Sequence, residues 1–143
     1  MATTSDFGRI KRDGTLEYTH ISGDGYPSGA GAIIFKHYQT EEALDRLFAG
    51  DHIEELTNDP DDITHMDDAR DPTWPWDYLS VNYFFQDGKW FYRDWDSLDH
   101  DDTTSTPPLI PLTREAIVRD ARKYSANAEQ HVADYLDGNK DTL

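Results

Sequence analysis

The stretch DYLSVNYFFQDGKWFYRDW, residues 77–95, decides the fold. Residues 77–85 and 89–95 flank Asp87-Gly88, a pair that tolerates the positive backbone angles of a tight hairpin turn. Val81, Tyr83, Phe84, Phe85, Trp90, Phe91 and Tyr92 are β-branched or aromatic side chains that favour a pleated, half-buried surface. The same chemistry recurs upstream, where residues 7–11 and 15–21 flank Asp13-Gly14 and predict a first hairpin.

Between the hairpins, residues 22–31 hold four glycines and Pro27, a loop composition that runs into a predicted helix over 32–38. Thr40 reads as the N-cap of a second helix, with Glu41 and Glu42 complementing its dipole and Ala43, Leu44, Leu47 and Phe48 as its apolar stripe. Gly50 ends that helix, and Asp51 can cap one further turn through Leu56. Residues 57–76 are acidic and proline-punctuated, which predicts an irregular surface excursion. Residues 96–112 read as a Thr- and Pro-rich linker. Thr113 then caps a long helix over 113–137, on which Ile117, Ala121, Tyr124, Ala128, Val132, Tyr135 and Leu136 share one face. The expectation is a single α+β domain spanning 1–143: two antiparallel β-hairpins, short helices after the first and a long C-terminal helix. Whether the hairpins join in one sheet is open at this level.

Aromatic residues make up 13% of the chain, more than a disordered acidic polypeptide carries, so a folded core is expected. The formal net charge of -16 opposes binding to phosphate backbones or anionic membranes, and no apolar run is long enough to span a bilayer. There is no cysteine, which excludes disulfides and thiolate chemistry. The N-terminal residues lack the basic and apolar blocks of a signal peptide, so the expected location is cytoplasmic.

The charge is concentrated. Residues 51–77 hold ten carboxylates against one base, Arg70, and Asp94, Asp96, Asp99, Asp101 and Asp102 form a second acidic segment beyond the late hairpin. Such a surface suits a basic partner. Asp59, Asp61, Asp62, Asp67, Asp68 and Asp71 are the candidate partner-binding carboxylates, with the second segment beside them and Trp74 or Trp76 as an aromatic anchor. Antiparallel pairing should bring Asp77 and Asp94, and hence the two segments, to one end of the late hairpin.

No catalytic, metal or cofactor motif stands out. The second acidic segment fails as a calcium loop, because Asp99 stands where the required glycine belongs and Ser105 where the closing glutamate does. The six histidines are scattered singly; His20 and His37, flanking the glycine-rich loop, are the one pair suited to acid-base chemistry. That loop matches neither GxxxxGK[ST] nor GxGxxG, and Ser28 lacks the elbow motif of a nucleophile.

Asp13-Gly14-Thr15-Leu16-Glu17-Tyr18-Thr19-His20, Asp24-Gly25-Tyr26-Pro27-Ser28-Gly29-Ala30-Gly31, His37-Tyr38 and the stretch 47–56 together resemble a family of small uncharacterised proteins encoded by bacteriophages and prophages. Tyr83-Phe84-Phe85-Gln86-Asp87-Gly88-Lys89-Trp90-Phe91-Tyr92 is similar to that family's later hairpin. The resemblance implies a phage context and no catalytic residues. Acidic phage proteins of this size resemble inhibitors of host defence, of the anti-restriction and anti-CRISPR classes, some of which mimic DNA. The leading expectation is therefore an inhibitor that is not an enzyme, uses no cofactor and binds a basic nucleic-acid-binding host protein. Two alternatives stand beside it: a small ligand-binding protein or enzyme using loop 23–31 with His20, His37 and Tyr26, and a salt-adapted acidic domain, since 22 of the 29 acidic residues are Asp and only five residues are Lys.

Overall fold

A computed structural model describes residues 5–11, 13–50, 52–66, 81–94, 107–141 and 143. Both hairpins are present. Strands β1 (Ser5–Ile10) and β2 (Leu16–Ile21) form the first, β5 (Val81–Gln86) and β6 (Lys89–Asp94) the second. Their turns differ. Asp87 and Gly88 both have positive φ, 55° and 78°, as a two-residue turn requires, whereas the first turn places Gly14 at φ 87° and closes with the Gly14 N–H donating to the Lys11 carbonyl.

The hairpins join through their first strands. β1 and β5 pair in parallel, Ser5 opposite Val81 through Arg9 opposite Phe85, at the centre of a seven-stranded mixed sheet of order β4-β3-β2-β1-β5-β6-β7. With four helices, the class is α+β.

Three peripheral strands depart from the sequence expectation. Residues 52–55 do not form the further helical turn expected after Gly50 but β3 (His52–Glu55), drawn into the sheet by Ile53, which is buried and pairs with Ile21. Within the excursion, a 3-10 turn (Pro60–Asp62) leads to β4 (Thr64–Met66), antiparallel to β3. The end of the expected linker supplies β7 (Ile110–Pro111), an edge position that tolerates a proline. In each case a partner strand satisfies backbone groups that local propensity left uncommitted, and for β3 that partner, β2, is distant in sequence.

Helices α1 (Ala32–His37) and α2 (Glu41–Leu47) follow the first hairpin, and the Thr40 side chain accepts from the Ala43 N–H as the expected cap. The C-terminal helix is two helices, α3 (Arg114–Arg122) and α4 (Ala126–Leu136), rather than one. Ser125 causes the break by capping α4 through the Ala128 N–H, which requires an extended backbone at Ser125. Tyr124, expected on the buried stripe, is consequently 61% exposed.

One face of the sheet carries the aromatic core. Phe7 stacks on Tyr83 with ring centroids 5.2 Å apart, Phe85 meets Trp90 edge-on at 5.2 Å, and the Trp90 indole N–H donates to the Tyr38 carbonyl at 2.9 Å. Ile34, Leu44, Leu47, Ile117 and Tyr135 from the helices complete this layer. The buried Arg9 fastens α2 to the sheet, donating to Asp45 at 2.9 Å with its guanidinium 5.4 Å from the Phe48 ring centroid.

Candidate functional site

The glycine-rich segment leaves β2 at the sheet end where β5 begins and packs rigidly against the domain. Ala30 N–H donates to the Asp24 carbonyl at 2.8 Å, and the buried Tyr83 hydroxyl donates to the Gly25 carbonyl at 2.7 Å. Asp24 takes up a positive φ of 56°, and a Cβ on Gly29 would lie 2.5 Å from the Asp24 carbonyl oxygen, so only glycine permits this crossing. Residues 27–31 then wind as a π-helical turn into α1.

Asp120 of α3 locks the turn. Its Oδ2 accepts from both the Ser28 N–H, at 3.0 Å, and the Ser28 hydroxyl, at 2.7 Å, with both residues buried. The Ser28 backbone amide and hydroxyl are thus both spent on the chain's own carboxylate. Asp120 was missed in the sequence, although a carboxylate adjoining Ile117 and Ala121 on an apolar helix face was the available signal.

A row of polar side chains crosses the opposite face of the sheet. Asp6 and His20 are register partners on β1 and β2, 0% and 5% exposed, and His20 Nδ1 lies 2.8 Å from Asp6 Oδ1. The register differs by one residue from that of a two-residue Asp13-Gly14 turn: Ile10 lies opposite Leu16, which places Asp6 opposite His20. Asn82 continues the row on β5 opposite Asp6, and Arg93 on β6 opposite Asn82. Toward β3, the His20 and His52 rings meet edge-on at 5.0 Å, and His52 Nε2 lies 3.1 Å from the Ser22 hydroxyl.

His37 does not join His20. It ends α1 within the helical layer, its ring 6.1 Å from that of Tyr135, and its Nε2 has no hydrogen-bond partner among the described residues. Burial, helped by the charge of Lys36, pushes its pKa below the ordinary value of 6.5, while Asp59 pulls weakly the other way. Tyr26 lines the cleft described next, so the three side chains grouped for ligand chemistry occupy three environments.

Beneath the loop, between it and β3–β4, lies an open cleft of about 860 Å³. Ile21, Ile33, Ile53, Leu56 and Met66 form its apolar floor and sides. Asp24, Glu54 and Glu55 supply its charge, and neither lysine nor arginine lines it. Burial, with the nearby charge of Asp24, raises the pKa of the Tyr26 phenol, so the ring is neutral at physiological pH.

Four of the candidate partner-binding carboxylates are among the described residues, and they divide between the two halves of the sheet. Asp59, Asp61 and Asp62 lie on the connection from β3 to β4; Asp59 accepts from the Asp61 N–H at 3.0 Å to cap the 3-10 turn, and Asp61 pairs with Arg46 at 2.8 Å. Asp94 ends β6 and meets Val81 across the strand pair, while the expected approach of Asp77 lies outside the described residues. That meeting point and the β3–β4 connection are separated by four strand spacings, about 19 Å. Asp67, Asp68, Asp71, Trp74, Trp76, Asp77, Asp96, Asp99, Asp101 and Asp102 lie outside the described residues.

Among the described residues no group of three or more His, Asp or Glu side chains is placed to hold a metal ion, and no helix is long and apolar enough to cross a membrane. No protein-family model, curated protein or solved structure matches the chain.

Proposed function

We propose that the protein acts by binding, as an acidic inhibitor of the phage type whose carboxylates occupy a basic nucleic-acid-binding surface on a host defence protein. The observation that carries this reading is the acidic edge formed by β3, β4 and their connection, where Glu54, Glu55, Asp59, Asp61 and Asp62 are all exposed, with Arg46 of α2 paired to Asp61 and Asp24 facing Glu54 and Glu55 across the cleft. A basic groove approaching this edge replaces its phosphate contacts with carboxylate contacts, at a gain in encounter rate that falls with salt. In the sequence, Asp67, Asp68, Asp71 and Asp77 follow directly after β4. A pull-down against purified nucleic-acid-binding defence complexes tests the reading. Capture should weaken steeply when Asp59, Asp61, Asp62, Asp67, Asp68 and Asp71 are changed to Asn, and capture that is indifferent to those changes removes it.

Salt adaptation is the second reading, favoured by a different observation. Exposed carboxylates also stand on both hairpin tips, at Asp13 and Asp87, at the other end of the sheet from the β3–β4 connection, and on α2, at Glu41 and Glu42. Self-repulsion distributed in this way is relieved by screening. A rise in the unfolding midpoint continuing from ~0.1 M to molar KCl supports this reading, whereas a plateau once the Debye length falls below ~8 Å opposes it.

A further inference from the structure

We infer that the cleft beneath the glycine-rich loop receives an arginine side chain of the basic partner. This rests on the binding reading above and names the chemistry at one place on that surface. The cleft combines an apolar lining with exposed carboxylates, which suits a cation on a hydrocarbon stem better than a compact hydrated ion. Ile53 is buried as part of the core, but Met66 remains 46% exposed on the cleft wall, an adaptable apolar side chain available for contact.

Charge complementarity selects the sign of the occupant. Glu54 and Glu55 are exposed neighbours on β3, and the register shift between Ile53 and Glu55 interrupts strict strand alternation there, so that both carboxylates line the one cleft. Asp24 stands on the loop side. A phosphate or carboxylate ligand meets three carboxylates in this lining, against His52 and no lysine or arginine. A cation meets them without a competing lysine or arginine.

Tyr26 favours guanidinium over ammonium. Its half-buried ring lines the cleft and is held by the packing of Gly29 beneath it, where an added Cβ would come within 2.9 Å. A fixed neutral aromatic face accepts a planar, weakly hydrated cation at lower cost than a strongly hydrated ammonium group, while carboxylates beside it can take the guanidinium donors in pairs. The loop is preorganised for this by Tyr83 and Asp120, so little ordering is required on binding.

The probe is N-acetyl-arginine amide, titrated into the full chain with amide NMR shifts as the readout. N-acetyl-lysine amide and the neutral N-acetyl-norleucine amide serve as comparisons. The expected result is saturable shifts confined to residues 22–30 and 52–56, weaker with the lysine compound and absent with norleucine. Glu54→Gln and Glu55→Gln should each reduce affinity by up to about fivefold, in line with partly exposed ion pairs. Tyr26→Phe should retain binding and Tyr26→Ala lose it, with the spectrum of each free variant reporting that the fold is intact. Absence of saturation, an equal response to norleucine, or unchanged affinity in the Glu54→Gln/Glu55→Gln double variant overturns the inference. Capture of a defence complex together with no arginine binding sinks the cleft assignment alone; arginine binding without capture sinks the inhibitor reading and leaves the cleft.

Discussion

Replacing Asp120 tests how the glycine-rich loop is held, and the expected cost can be worked from its contacts. In Asp120→Ala, the Ser28 N–H and hydroxyl, both buried, lose their shared acceptor. An unsatisfied buried donor costs about 1–3 kcal/mol, and the hydroxyl can recover part of its share by rotating, so the sum is about 2–4 kcal/mol. The 3.7 Å contact from Lys123, which is largely exposed, adds little. Asp120→Asn keeps an acceptor oxygen in place and loses only the charge assistance, about 1 kcal/mol. Ser28→Ala removes one of the two bonds for about 1 kcal/mol. Urea unfolding of the three variants and of the Asp120→Ala/Ser28→Ala pair measures these terms, and the double-mutant cycle should show coupling of about 1 kcal/mol. In a thermal melt the alanine variant should unfold about 6–12 °C lower, at roughly 3 °C per kcal/mol for a chain of this size. A loss below about 1 kcal/mol for Asp120→Ala, or equal losses for Ala and Asn, would refute the argument that the carboxylate locks the turn.

Two further outcomes follow from single residues. Burial lowers the pKa of His37 in the folded chain below its ordinary 6.5, so the unfolded chain binds that proton more readily. The stability associated with His37 is complete above pH 6.5 and is lost as pH falls from there through the folded value; His37→Gln should therefore flatten the acid side of a stability-versus-pH curve measured in urea, and an unchanged slope counts against the assignment. Gly88→Ala meets no atom within 4 Å but keeps φ at +78°, so its cost is backbone strain of about 1–2 kcal/mol, readable as a shift in the urea midpoint at constant slope.

The turns and caps were legible because their causes are local. Asp87-Gly88, Thr40 and Thr113 each make their decisive contact within three residues, and the structure has all three as expected. Ser125 acts in the same local way, yet it was hidden inside an unbroken three-and-four spacing of apolar residues; periodicity records which side chains share a face and is silent about a cap that divides the helix. For the candidate site, the acidic β3–β4 connection was visible as composition, and the loop as a run of glycines. Asp24, Glu54 and Glu55 were counted as charge without being recognised as walls of one cleft, because that requires knowing that residues 52–55 lie alongside β2.

By itself the sequence determined two hairpins, two capped helical segments and a heavily acidic surface, each specified by dihedral preference, side-chain capping or charge within a few residues. Tertiary structure alone decided that β1 and β5 pair in parallel, that 52–55 is a strand, that Ser28 is held by Asp120 from 92 positions away, and that His20 and His37 lie in different layers. The physical reason is that strand pairing and the satisfaction of buried polar groups are choices among distant partners. They are settled by which surfaces fit together once the aromatic core closes, a competition that no short window of sequence contains.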